Sequence, residues 1–235
     1  SWVSRGNGQE SLISLRAPVL TGAGSCGAFM TAQDGISMRS PGFCNVNQLF
    51  DANLLQAGKV EVLKGPATVV FGSNALHGII NVLTRSVEAT PNQLRVEAGS
   101  RDYYRVSASG AWDSIALSAQ TARYGGYQDQ SGYDQQKATL RLDDNWGAWR
   151  VAGVLEGSQL DQETAGYIRG YEAYKDDGAR EQNPNPEAYR NAWSARGYLS
   201  LSRDWGGEGE LTLRPYWRSN SMTFLQHYLP WQATE

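Results

Sequence analysis

From residue 93 onward the chain repeats one instruction: apolar and polar side chains alternate, segment after segment, with turn-forming residues between the segments. Leu94, Val96 and Ala98 oppose Arg95 and Glu97; Val106, Ala108, Gly110 and Trp112 oppose Arg105, Ser107 and Ser109; Ile115, Leu117 and Ala119 oppose Ser118 and Gln120. The period continues with Ala138, Leu140 and Leu142 against Lys137, Thr139 and Arg141, then with Trp149, Val151, Gly153 and Leu155 against Arg150 and Glu156. It ends with Trp193, Ala195, Gly197, Leu199 and Leu201 against Arg196, Ser200 and Ser202, and with Leu211, Leu213, Pro215 and Trp217 against Arg214 and Arg218. A period of two puts each set on its own face, so these residues predict seven antiparallel strands with one apolar and one polar face.

The connections alternate too. Asp113-Ser114, 143–147 and 204–207 are short, whereas 124–135, 159–189 and the stretch after Ser219 are long and polar. The segment between Gly99 and Tyr104 departs from this, being short on the long side. Short turns at one end and long loops at the other are the pattern of an outer-membrane barrel, with the short turns periplasmic. Trp112, Trp146, Trp149, Trp193 and Trp205 are read as lying beside the short turns, where an interfacial aromatic girdle belongs. In a soluble sandwich the cationic face with Arg95, Arg105, Arg141, Arg150, Arg196 and Arg214 is solvated; in a barrel it lines the lumen.

Composition narrows the classes further. The 235 residues include 26 Gly, 8 Trp and 12 Tyr, a β-leaning mixture, and the net charge of −3 gives nucleic acid no basic field to bind. No run approaches 18 apolar residues, so a barrel is the one membrane-spanning option; the mean hydropathy of −0.50 is compatible with it, because a barrel strand needs only every second residue apolar. His77 and His227 are about 150 positions apart, and no nucleophile elbow, phosphate-binding loop or dinucleotide fingerprint occurs. No enzyme, metal centre or cofactor is expected.

The stretch from Lys59 to Arg85, KVEVLKGPATVVFGSNALHGIINVLTR, is of another kind. A short alternating strand breaks at Lys64-Gly65-Pro66; a Phe71-Gly72-Ser73 turn then leads into an apolar strand from Gly78 to Arg85. This wording resembles the last part of the plug domain of TonB-dependent outer-membrane receptors, with Phe71 where that family usually has Tyr and His77 where it usually has Gly. Upstream, Asp34-Gly35-Ile36 resembles the strand-turn of the same plug sheet, and Ser11 to Arg16 stops at Ala17-Pro18 where the family writes Ile-Arg-Gly.

The resemblance implies an α+β plug domain over residues 1–88 and the N-terminal strands of an antiparallel transmembrane β-barrel over 89–235. A barrel enclosing such a plug has roughly 22 strands, so seven cannot close and the working protein is expected to be longer, with the TonB-contacting segment before Ser1. The implied function is active import of a scarce nutrient across the bacterial outer membrane: a ferric siderophore or other iron chelate first, with cobalamin, haem, a sugar or another metal complex as the family's other cargoes. Its partners would be the TonB energy-coupling complex, the chelate and outer-membrane lipid.

Within the chain, the resemblance puts ligand on the outward plug loops around Phe29, Met30, Arg39 and Phe43, and gives Asp34, Gly35, Glu61, Lys64, Gly65, Pro66 and Gly72 an architectural role. Cys26 and Cys44 flank one strand-loop unit; they are either reduced or joined, and a bridge would staple the loop or pre-shape its binding surface. Met30 and Met38 offer a soft-metal site or, more in keeping with their irregular spacing, packing. Tyr127, Tyr171 and His227 stand for three aromatic-rich loops, suited either to capturing a bulky ligand or to sitting at the headgroup boundary. The rival classes are a passive or adhesive outer-membrane barrel, which leaves Lys59 to Arg85 unexplained, and a soluble disulfide-bonded β protein.

Overall fold

The computed structural model describes residues 2–5, 11–15, 29–39, 48–207 and 209–225. Cys26, Phe43, Cys44 and His227 lie outside them. The chain divides into two compact units, Ser1–Thr90 and Pro91–Glu235.

In the first unit, β1 (Trp2–Arg5) and β2 (Ser11–Ser14) form an antiparallel pair. A separate four-stranded sheet is made by β3 (Met30–Gln33), β4 (Ile36–Ser37), β5 (Ala57–Lys64) and β6 (Gly78–Thr84), in the order β4-β3-β6-β5. β6 lies in the middle, parallel to β3 and antiparallel to β5. Its sequence Gly-Ile-Ile-Asn-Val is apolar without alternation because both faces are covered: residues 78 to 82 are all buried. β5 is an edge strand, and its alternation of Val60 and Val62 with Glu61 leaves all three well exposed. Between β5 and β6 the chain makes the short helix α1 (Thr68–Phe71), whose Gly72 N–H closes onto the Thr68 carbonyl at 2.9 Å. Two small apolar clusters hold the sheet, one of Met30, Ala32, Ala67, Ala75 and Ile79 and one of Met38, Ala52 and Val82. Both methionines are therefore core residues, as their spacing suggested.

The second unit is one antiparallel meander: β7 (Gln93–Ala98), β8 (Tyr104–Trp112), β9 (Ile115–Tyr124), β10 (Tyr133–Trp146), β11 (Trp149–Glu163), β12 (Tyr189–Asp204), β13 (Glu210–Leu213) and β14 (Tyr216–Leu225). β13 and β14 both pair with β12 in one unbroken register, Leu201 opposite Leu213 and Tyr198 opposite Tyr216, so they are a single seventh strand. The interruption is Pro215: its carbonyl accepts the Leu199 N–H at 3.1 Å, but the imide returns no N–H to Leu199. The seven predicted strands and their parities are those observed.

Two expectations change. The strands are longer than the alternation showed: β10 runs to Trp146 and β11 to Glu163, so Gly147-Ala148 alone joins them and the long loops shrink to 125–132 and 164–188. In residues 159–163 the one apolar side chain, buried Leu160, falls on the parity that is otherwise polar, with Gln159, Asp161 and Glu163 on the other, which hides a strand from a pattern reading but not from ladder hydrogen bonding with β10 and β12. Trp193, moreover, stands opposite Gln159 near the long-loop end of β12, away from the short turns. The aromatic residues of the apolar face thus mark two levels. Trp193 and Arg203 share that face of β12 ten residues apart, and Arg203 lies beside Trp149. Ten residues extend about 33 Å along a strand, which at a tilt of about 40° is roughly the 25 Å height of an outer-membrane apolar band. Ala195, Gly197, Leu199 and Leu201 fill the interval.

Candidate functional site

The plug-like sheet is organised around the turn Asp34-Gly35, with φ of 50° and 79°, the conformation an Asp-Gly pair adopts most readily. β6 supplies hydrogen bonds that fix it. The Asp34 carboxylate accepts from the Thr84 N–H at 2.8 Å and from the Thr84 hydroxyl at 2.6 Å, Gln33 Nε2 donates to that hydroxyl at 3.0 Å, and the Gly35 N–H donates to Asn81 Oδ1 at 2.9 Å. Two motif fragments nearly fifty residues apart are thereby one structural unit.

The remaining motif residues shape the return from β5 to β6. Lys64 ends β5; Gly65, at φ 140°, donates its N–H to the His77 carbonyl at 3.1 Å; exposed Pro66 precedes buried Ala67, whose N–H reaches the Ala75 carbonyl at 3.0 Å. Gly72 has φ 88° with open space around it. Gly78, at φ 140°, is under stricter control, because a Cβ there would sit 2.1 Å from the Leu63 carbonyl oxygen and 2.7 Å from Leu15 Cδ2. The neighbouring His77 is not among the positive-φ residues, so of the two positions it is 78 that the backbone reserves for glycine. Glu61 pairs with Lys59 at 2.7 Å on the exposed edge, and that hydrogen bond and charge hold its carboxyl below the usual value.

The expected ligand-facing residues separate in the structure. Phe29 is half-buried just ahead of β3, and Met30 is buried in the core. Arg39 extends along the surface, its guanidinium donating to Asn74 Oδ1 at 2.9 Å. In the second unit the loops are tied together. Arg101 stacks 4.2 Å from the Tyr127 ring centroid, donates to the Tyr127 carbonyl at 3.0 Å and pairs with Glu181 at 3.5 Å. Gln128 Nε2 donates to the carbonyls of Gly166 and Gln182 at 3.1 and 2.8 Å, and the Asp129 N–H donates to the Glu181 carbonyl at 2.7 Å. Tyr171 is 95 % exposed at the tip. Asp176 caps α2 (Asp177–Glu181) through the N–H groups of Gly178 and Ala179, and Asp177 pairs with Arg180, so these acids serve the loop's own fold. Among the described residues no cluster of His, Cys, Asp or Glu fits a metal ion.

What pattern reading missed is the wiring of the polar face. Glu156 and Arg196, directly opposite on β11 and β12, form a buried ion pair at 2.5 Å. Arg141 reaches Asp143 at 2.5 Å and the Tyr198 hydroxyl at 2.9 Å, while Glu97 binds Arg95, Arg105 and the Tyr103 hydroxyl. By register this face carries nine cationic side chains, Arg95, Arg105, Lys137, Arg141, Arg150, Arg190, Arg196, Arg214 and Arg218, against five carboxylates, Glu97, Asp143, Glu156, Asp204 and Glu210. The excess is positive on a chain whose net charge is −3.

No protein-family model matches the sequence. Solved structures do. The ferric yersiniabactin uptake receptor FyuA of Yersinia pestis is 20% identical with a TM-score of 0.66 over 92% of this chain and 35% of its own. The ferric citrate transporter FecA in its unliganded form is 14% identical with a TM-score of 0.71 over 95% of this chain and 36% of its own. The ferric-catecholate import receptor Fiu of E. coli K12 is 16% identical with a TM-score of 0.65 over 84% and 32%. The chain spans about a third of the length of the solved structures it matches. Its fold is that of the plug and part of the barrel of TonB-dependent outer-membrane receptors.

Proposed function

We propose that the chain is part of a TonB-dependent receptor that imports a ferric siderophore or another anionic iron chelate across the bacterial outer membrane, as a transporter rather than an enzyme. The observation that carries the reading is the segregation of faces in the seven-stranded sheet: an apolar face bounded by Trp193 at one level and Trp146 and Trp149 at the other, and a polar face with an excess of cations. The first suits a lipid-facing wall; the second suits passage of an anion past a field of opposite sign. In this reading Arg39, Tyr127 and Tyr171, together with Phe29, Phe43 and His227, contribute to ligand capture, the plug motif residues are architectural, and energy comes from the inner membrane through TonB.

The reading is tested by fractionating cells grown with and without iron. The protein is expected in the outer membrane, extractable only with detergent, and more abundant under iron starvation. Recovery in the aqueous phase, or expression indifferent to every iron source, overturns it.

A further inference from the structure

The apolar face of the second unit carries a groove of about 540 Å3 across β10, β11, β12 and the β13–β14 strand. Two cross-strand rows frame it, Leu142, Gly153, Leu199 and Pro215 in one and Leu140, Leu155, Gly197 and Trp217 in the next. The two glycines act differently. A Cβ at Gly197 would lie 2.6 Å from Leu155 Cδ2 and 3.0 Å from the Val154 carbonyl, so Leu155 lies down over that position. At Gly153 an added Cβ meets only the side chains of Leu142 and Leu199, at 3.5 Å and beyond, so the glycine leaves a slot that a side chain could have filled.

Towards the short turns the same face carries a cation on β12 and, two strands away on β10, the Asp144 carboxylate, which accepts from Trp146 Nε1 at 3.1 Å. Arg203 projects four residues beyond Leu199 on β12, about 13 Å along the strand, with its guanidinium 5.9 Å from the Trp149 ring centroid. Among the described residues no carboxylate pairs with it, in contrast to Arg150, whose partners Asp204 and Glu210 lie on the opposite face. An apolar slot leading to an indole-backed cation that has no anionic partner among the described residues is complementary to an anionic amphiphile.

We propose that the groove and Arg203 form a phospholipid site, with one acyl chain in the slot at Gly153 and the phosphate on Arg203. The short-turn end assigns the lipid to the periplasmic leaflet. The inference rests on the reading of this sheet as an outer-membrane wall.

The test uses the full-length receptor, extracted from outer membranes and stripped of lipid by detergent exchange. Phosphatidylglycerol and, separately, diacylglycerol are titrated in and bound lipid is counted by native mass spectrometry. One phosphatidylglycerol per receptor is expected. Gly153→Leu should weaken its binding tenfold or more; Arg203→Gln, a surface change that leaves the strand intact, should weaken phosphatidylglycerol several-fold and leave diacylglycerol unaltered. Undiminished phosphatidylglycerol binding by Arg203→Gln overturns the site, as does a receptor that dimerises through this face and takes up no lipid. A protein recovered from cells in the aqueous phase fails one step earlier, on the membrane reading itself; a membrane-extracted receptor whose variants bind lipid normally fails on the site alone.

Discussion

Asp34 grips Thr84 twice, its carboxylate accepting from the backbone N–H at 2.8 Å and from the side-chain hydroxyl at 2.6 Å. The bonds join a hairpin turn to the far end of the central strand β6, so that the Asp-Gly turn and the Asn-Val-Leu-Thr segment are fixed by each other. Asp34→Ala should lower the plug's stability by about 2 kcal/mol, the usual loss when bonds to a charged acceptor are removed, and Thr84→Val by about half as much. Hydrogen exchange of the β3–β6 amides in the full-length receptor reads both.

Gly78 and Gly72 both have positive φ but differ in what surrounds them. Gly78→Ala should separate β5 from β6, because the Leu63 carbonyl stands where the methyl would go; Gly72→Ala, with open space around it, should cost about 1–3 kcal/mol, the penalty of its backbone region by itself. His77→Gly should change stability little. Limited proteolysis of the receptor in detergent separates the three, with new cleavage in the plug confined to Gly78→Ala.

The Glu156–Arg196 pair is buried, so breaking one side takes a short ion pair away from the charge that stays behind. Glu156→Gln or Arg196→Met should each destabilise the second unit by roughly 3–5 kcal/mol, whereas changing both residues to Met should recover most of that loss. Urea midpoints of the detergent-refolded receptor measure the non-additivity.

Tyr103 sits in the turn between β7 and β8, where burial first, and then its hydrogen bond to Glu97, hold the phenol above its usual value. The folded state keeps this proton at pH values where the unfolded chain has lost it. The contribution is complete below about pH 10, the ordinary tyrosine value, and is lost as the pH rises through the raised one. Tyr103→Phe should flatten the alkaline limb of the pH–stability profile and lower the neutral plateau only by the lost hydrogen bond to Glu97, about 1 kcal/mol.

Tyr171 is almost fully exposed, and Tyr167 and Tyr174 are 72 % and 66 % exposed on the same loop, so none of the three contributes much to folding. Replacing them together by Ala should leave the melting temperature within about 2 °C, as expected of surface changes, while reducing chelate affinity several-fold in a binding titration. Unchanged affinity would return these rings to a headgroup-boundary role.

Much of the barrel-like sheet was legible because its faces differ. Leu140, Leu142, Leu155 and Leu199 fall on one parity and Lys137, Arg141, Glu156 and Arg196 on the other, and one side of each strand is enough to fix it. The reading failed where that contrast fades. In Gln159 to Glu163 the one apolar side chain, Leu160, falls on the otherwise polar parity, so the end of β11 does not show in the pattern, and Trp193, which follows the long connection, belongs to the long-loop level by chain order alone. In the plug, the motif between Lys59 and Arg85 located the turns but not their fastening: that Asp34 would reach Thr84, or that Gly78 rather than residue 77 is the indispensable glycine, depends on chain segments meeting across fifteen to fifty positions. Met30 shows how a residue beside an outward loop can still point into the core, in keeping with the packing role its irregular spacing from Met38 allowed.

The central claim is energised import, and one measurement reaches it directly: uptake of radiolabelled ferric chelates by whole cells with and without the gene, each with and without a protonophore. The account predicts one iron chelate whose uptake disappears on deletion and equally on collapse of the proton gradient. Uptake that depends on the gene but persists without the gradient would describe a passive pore, and uptake of every chelate unaffected by deletion would contradict the transport reading altogether.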